Sequence, residues 1–426
     1  MHSSVLMCGL KCGFNNSAVG PKLRSTKLTA AMRAALTLAV ISALLLAAVQ
    51  PAHGQRETVL YSFADSPDGW NPFYVTPVLD KKGNLYGTTV YGGAYDGGAV
   101  FKLVPSGTET ILYSFGGNGD GSYPFAGLVL DKKGNLYGTT YYGGNSSCQY
   151  GCGVVFEVTP SGTETTLHSF DQNGTDGYYP VDTLAFDKTG NLYGTTYGGG
   201  AYGGGTVFKL TPSGTETILY SFGVNGADAY HPVAGVALGK KGNLYGTTYQ
   251  GGAYNWGTVF KVTPSGTETI LHSFDANGAD GYHPYAVPVF DKKGNLYGTT
   301  YYGGAYDGGT VFEVTPKGKE TILYSFNLNG TDGLNPNGVL VFDKEGNLYG
   351  TTCNGGNSSC AYSGCGVVFE LTPSGTETIL HSFGPYASGD GLTPFGGLVF
   401  DKEGNLYGTT SVGGAYNDGT VYKVTP

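Results

Sequence analysis

The sequence predicts an all-β chain folded as a seven-bladed β-propeller with four-stranded blades. Three observations predict it. The phrase Gly-Asn-Leu-Tyr-Gly-Thr-Thr begins at Gly83, Gly134, Gly190, Gly242, Gly294, Gly346 and Gly404, at intervals of 51, 56, 52, 52, 52 and 58 residues. Four short strand-like runs recur in each interval. The run that opens the repeated region and the run that closes the chain complete one unit between them. A period near 50 residues with several short strands per unit marks a propeller or another repeat array.

The elements follow in a fixed order. The first run is small and apolar, as in "FAGLVLD" (125–131), and suits the crowded innermost position by the axis. The turn "DKKGN" leads to the second run, "NLYGTT"; its Gly suits a positive-φ position. The third run is "TVFKLTP", and a Pro-Ser-Gly turn joins it to the fourth, "TETILYSF". Alternation in the outer runs is weak, because both faces of a blade pack on neighbouring blades.

The chain ends predict the closure. Residues 57–63, "ETVLYSF", form a fourth run with no third run before it, and residues 420–426, "TVYKVTP", form a third run with no fourth after it. In a ring the N-terminal strand completes the last blade and hides both sheet edges.

Composition agrees. Among 426 residues are 74 Gly, 34 Tyr and 20 Pro, but 40% are hydrophobic and the period is clear, so the chain is turn-rich β rather than low-complexity. Arg33 precedes an apolar run, Ala34 to Val49, followed by small residues at Ala52 and Gly54. This predicts a signal peptide within residues 1–54, with Met32 as a conventional start, and a propeller over residues 55–426. The rival reading of the run is an uncleaved anchor, although it is shorter than the roughly 20 residues that span a bilayer. The expected location is extracytoplasmic: secreted, periplasmic or at the cell surface.

The chain carries a net −9; residues 1–54 hold five basic and no acidic side chain, which leaves roughly −14 beyond them. Without a Lys/Arg cluster, such a chain is a poor partner for nucleic acid or anionic lipid. No membrane insertion is expected after signal removal, and a monomer is expected. Five Cys lie in two related inserts, "NSSCQYGCG" and "CNGGNSSCAYSGCG". Their spacing suits local disulfides, Cys148 with Cys152 and Cys360 with Cys365, leaving Cys353 unpaired or partnered elsewhere. A zinc site there would want further ligands.

The unit D-x-x-G-N-L-Y-G-T-T … G-G … G-T-V-F-K-L-T-P-S-G-T-E-T-I-L-Y-S-F … D-G … P resembles the GloVer tandem repeat of exported bacterial proteins, across essentially all of the chain beyond the leader. The resemblance implies export and a propeller-like array and brings no activity with it. Anchored members carry a sorting tail, whereas this sequence stops at Pro426.

Strand directions alternate, so the short turns "DKKGN" and "TPSGT" share one face and the long connections the other. Loops on a rigid scaffold carry function, which makes the long-loop face the candidate site. In its D-G-x-x-P frame the first variable position reads Trp70, Ser122, Tyr178, Tyr230, Tyr282, Leu334 and Leu392, and the second includes His231 and His283. In the other long loop Tyr95, Tyr202, Tyr254, Tyr306 and Tyr416 recur, often before Asp or Asn. Aromatic rings beside carboxylates and amides suit sugars or extended peptides. The structural alternative is that these rings only pack Gly-rich loops.

Seven equivalent aspartates, Asp68, Asp120, Asp176, Asp228, Asp280, Asp332 and Asp390, lie in loops such as "DQNGTDG". These faintly resemble calcium loops but lack EF-hand spacing, and Asx turns explain them equally well. No other cofactor is indicated. His168, His272 and His381 take the place of Tyr61, Tyr113, Tyr220 and Tyr324 and read as an ordinary strand position. No catalytic motif stands out. The expected function is an exported, non-enzymatic propeller that binds glycan or surface protein. The alternatives are a glycan-processing hydrolase or lyase with carboxylates at the funnel mouth, and a structural spacer of envelope or matrix.

Overall fold

In blade 5 the residues explain their own strands. Leu296–Thr300 and Thr310–Val314 are rich in β-branched and aromatic side chains that fit a pleated surface. Asp291 builds the turn before them: its Oδ1 accepts the backbone N–H of Lys293 and Asn295, and Asn295 donates its amide to Oδ2. Val289–Phe290, Leu296–Thr300, Thr310–Val314 and Glu320–Ser325 pair antiparallel in that order, from the axis outward. Seven such sheets are present in this computed structural model, which describes residues 56–426 apart from 118, 357–363 and 386–387. The expected leader lies outside the described residues.

The outer strands of blades 1 to 6 are Glu109–Ser114, Glu164–Ser169, Glu216–Ser221, Glu268–Ser273, Glu320–Ser325 and Glu377–Ser382. Blade 7 takes its outer strand from the other end of the chain: Arg56–Ser62 pairs antiparallel with Thr420–Thr425. Even the irregularity is shared. Each outer strand slips by one residue against its partner, between Val59 and Tyr61 in the N-terminal strand and at the matching place in blades 1 to 6. Such a bulge increases local twist, and its recurrence shows that the N-terminal strand is a full blade element.

Two repeated contacts lock blade to blade. A Phe just beyond each outer strand is fully buried and packs on an aromatic ring in the third strand of the next blade. The seven pairs, from Phe63–Phe101 to Phe383–Tyr422, have centroids 4.8 to 5.2 Å apart. This also explains the Gly in each Leu-Tyr-Gly-Thr-Thr: a Cβ on Gly298 would lie 2.6 Å from the ring of Phe312. Nearer the axis, the first Thr of that phrase donates to a carbonyl of the next blade at six of seven positions. Thr88 to Ala126 and Thr247 to Ala286 are examples, and Thr409 to Val75 closes the circle.

The axis is filled rather than open. Tyr74 of blade 1 and Tyr285 of blade 5 stack across it at 6.5 Å, and Phe73 packs on Phe395. Beneath them a cavity of only about 20 Å³ is lined by Thr76, Asp182 and Asn337 among others. Asp182 and Asn337 replace small or apolar residues of the other blades. Burial raises the Asp182 carboxyl to about 6, although it accepts the N–H of Thr183 and of Gly235.

Candidate functional site

Tyrosines stand out on the long-loop face. Tyr95, Tyr150, Tyr202, Tyr254, Tyr306 and Tyr416 are 56% to 73% exposed. They come from six blades, and the corresponding loop of blade 6 is partly outside the described residues. The other large exposed apolar side chains among the described residues, Val224, Trp256 and Leu328, belong to the same set of long connections. Tyr150 had gone unnoticed in the sequence because its loop carries a Cys insert and breaks the Gly-Ala-Tyr frame.

The Asp or Asn after these rings is engaged by the loop itself. Asp96, Asn255, Asp307 and Asn417 have φ between 58° and 67° and each accepts the N–H of the Gly four residues earlier. Asn and Asp tolerate this left-handed backbone and cap it with their own side chain. Tyr95, Tyr254, Tyr306 and Tyr416 therefore stand on self-capped loops, whereas Gly follows Tyr150 and Tyr202. An open groove of about 480 Å³ lies beside Tyr416, lined also by Val59, Leu60, Tyr61 and Ala64.

The D-G-x-x-P residues form a second, half-buried set. Trp70 stacks on Tyr91 at 4.3 Å, and Tyr282 stacks on Tyr302 while donating its hydroxyl to Asp307. Tyr178 lies against Gly198, and Tyr230 against Gly204 and Gly223. The second variable position is left-handed in all seven copies, including Asn71, Tyr123, His231 and His283. His231 stacks on Tyr197 and His283 on Tyr249, and each Nδ1 donates to the carbonyl of the Tyr it covers at 2.8 Å. Burial lowers both His pKa values, so these rings are neutral at pH 7.

The seven aspartates lie beside the outer strands, at the seams between blades, rather than around the axis. Each caps its own loop: Asp176 accepts the N–H of Asp171 and Gly177, and Asp228 that of Gly223, Val224 and Ala229. Each also faces an outer-strand side chain. Tyr61, Tyr220 and Tyr324 donate their hydroxyls to Asp68, Asp228 and Asp332, and Tyr113 does so to Asp120. In three seams a His takes the place of the Tyr: His168 faces Asp176, His272 faces Asp280 and His381 faces Asp390.

The next blade supplies a third member, the Glu that opens its outer strand. Burial, then the nearby Asp, pushes Glu109, Glu268 and Glu377 up to about 7. Glu57 joins the seam of His381 and Asp390 across the ring closure. These glutamates were passed over in the sequence. The signal was there: a Glu-Thr pair in all seven copies, four residues before a position held by Tyr or His.

Cys148 and Cys152 form a disulfide with Cα atoms 5.0 Å apart. Cys365 is disulfide-bonded, and its expected partner Cys360 lies outside the described residues. Cys353 is buried and donates its thiol to the carbonyl of Asn335 at 3.3 Å.

Comparison with known proteins agrees with this architecture. The model of the Gloeobacter/Verrucomicrobia repeat matches residues 46–252 and 235–426. Among solved structures, a streptogramin B lyase is similar at a TM-score of 0.56 and 14% identity, over 87% of this chain and 97% of that one. A gluconolactonase of Xanthomonas campestris is similar over 87% and 89%, at 13% identity and a TM-score of 0.42. A protein of unknown function from Bacteroides thetaiotaomicron covers 80% of this chain and 84% of its own, at 16% and 0.43. Only the lyase has a TM-score above 0.5, and at 14% identity it speaks to the fold alone. No curated protein matches the chain.

Proposed function

The chain belongs to the Gloeobacter/Verrucomicrobia repeat family, and from that premise we propose that it is a binding propeller whose long-loop face presents repeated aromatic sites to glycan or to an extended surface protein. One observation carries the reading: exposed tyrosines from six blades stand on one face, four of them on loops capped by their own Asp or Asn. Large exposed side chains gathered on one face of a protein, rimmed by polar residues, are candidates for an interaction site. A flat ring with a hydroxyl at its rim covers the apolar face of a sugar, or a peptide side chain, and still donates a hydrogen bond. Single shallow sites bind weakly, and repetition round a ring converts weak sites into avidity.

Catalysis has less support. The carboxylates sit half-buried in the seams, and backbone N–H groups already use much of their lone-pair capacity. Export, as the leader predicts, would put the face in contact with envelope or extracellular polymers.

A glycan array and a pull-down of surface proteins, each run with calcium and with chelator, test the proposal. Binding that weakens stepwise as Tyr95, Tyr202, Tyr254 and Tyr306 are changed to Ala supports it. Silence in both screens under both conditions rejects it.

A further inference from the structure

The seams offer chemistry that the binding face does not use. In the seam between blades 2 and 3, His168 Nε2 lies 3.5 Å from Asp176 Oδ2 and 3.7 Å from Glu216 Oε1. Between blades 4 and 5, His272 Nε2 lies 3.2 Å from Asp280 Oδ2 and 3.9 Å from Glu320 Oε1. Between blades 6 and 7, His381 Nε2 lies 3.1 Å from Asp390 Oδ2, and Glu57 completes the group with all ligand atoms within 4.8 Å of one another. We propose that these three seams are divalent transition-metal sites of the zinc type, each held by one imidazole and two carboxylates, and that the metal staples adjacent blades.

Geometry supports this first. Zn²⁺ binds imidazole nitrogen and carboxylate oxygen at about 2.0–2.2 Å with tetrahedral angles, which places neighbouring ligand atoms about 3.3–3.6 Å apart. The observed His–Asp and His–Glu separations straddle that range, so small side-chain adjustments suffice and the backbone stays where it is.

A second, independent observation concerns unmet hydrogen-bonding capacity. Nε2 of His168 is sealed from water without a hydrogen-bond partner, as is Oε1 of Glu57, Glu216 and Glu320; Oε1 of Glu109, Glu268 and Glu377 in three of the Tyr seams is sealed likewise, so it is the imidazole that sets the three His seams apart. A polar atom buried without a partner costs free energy that a bound ion would remove. The donor set then selects the metal. Imidazole favours zinc and its neighbours over calcium or magnesium, which prefer all-oxygen shells.

The chain also contains its own control. The other four seams keep the same Asp and Glu but place a Tyr hydroxyl where the imidazole would be. A phenol held as a donor to the Asp is no metal ligand. The site is therefore confined to three seams. The third has a special consequence, because Glu57 lies on the N-terminal strand and His381 in blade 6. Metal there would clamp the ring closure.

The test uses the full chain, titrated with Zn²⁺ and separately with Ca²⁺ by calorimetry, with the melting temperature followed in parallel. Wild type is expected to bind three more equivalents of Zn²⁺ than the triple variant H168Y/H272Y/H381Y, so that sites elsewhere cancel. The triple variant should fold, since Tyr already occupies this position in four seams. The reverse change, Tyr220→His beside Asp228 and Glu268, should add one equivalent and raise the Zn²⁺-dependent melting shift. Equal Zn²⁺ stoichiometry in wild type and the triple variant overturns the proposal. So does a Tyr220→His variant that is folded but gains no site, or Ca²⁺ binding that matches Zn²⁺ in stoichiometry and in its dependence on the three His.

Discussion

If the N-terminal strand closes the ring, Phe63 should count as much as its equivalents inside continuous blades. Phe63 is fully buried, packs edge-on to Phe101 at 5.1 Å and donates its backbone N–H to the carbonyl of Gly419. Leu85, Leu103 and Val421 complete its surroundings. Phe222, the matching residue of blade 3, is fully buried and packs on Phe260 of blade 4 at 5.0 Å. Phe to Ala in such a core costs about 3–5 kcal/mol, from lost transfer energy plus the cavity left behind. With an unfolding entropy of about 2.1 cal/mol/K per residue over the roughly 370 residues from Gln55 to Pro426, the melting temperature should fall by about 4–6 °C. Phe63→Ala and Phe222→Ala, compared by calorimetry, should agree within about 1 kcal/mol, the usual context dependence of such changes. Deleting residues 57–63 should do more, because it also bares the edge of Thr420–Thr425 and invites pairing between molecules. A Phe63→Ala variant that melts with wild type while Phe222→Ala drops by several degrees would refute closure by this strand, as would a monomeric truncation of undiminished stability.

Three further outcomes are expected. Glu109, Glu268 and Glu377 titrate near 7 in the fold against the ordinary 4.5, so the folded state holds extra protons between those values. Their contribution is fully present below about 4.5 and is lost as pH rises through 7. The melting temperature should therefore be higher at pH 5.5 than at pH 8, and Glu268→Gln should flatten that slope; a slope of opposite sign, or one unaffected by the substitution, contradicts the seam electrostatics. Gly298→Ala should cost about 1–3 kcal/mol by overpacking against Phe312, whereas Gly226→Ala, with nothing within 4 Å of the added carbon, should be near neutral; equal melting temperatures would remove the steric account of the repeated Gly. Tyr254→Ala and Tyr306→Ala should leave stability within about 0.5 kcal/mol, as exposed positions do, while weakening whatever ligand the arrays identify; a large melting change instead would show that these rings pack the loops.

Blade number, strand order and ring closure were legible in the sequence, because they depend on local backbone preference and on counting copies. A run of β-branched and aromatic residues makes a strand wherever it lies, and a missing fourth run at one end matched by a surplus at the other requires a circle. The aromatic loop face was legible for the same reason: alternating strand directions sort the turns onto two sides. The seams were not. Glu216 comes beside His168, and Glu57 beside His381 and Asp390, because of the rotation between blades and the twist of each outer strand, quantities with no trace in a linear period. The filled axis was equally hidden. Asp182 and Asn337 look like single deviations in a variable run, and only the convergence of all blades on one line brings them together. The left-handed residues of D-G-x-x-P read as variable chemistry, yet in every copy the backbone takes the same turn. Repetition determined the scaffold, and the meeting of one copy with the next decided where charge, protons and unpaired polar atoms collect.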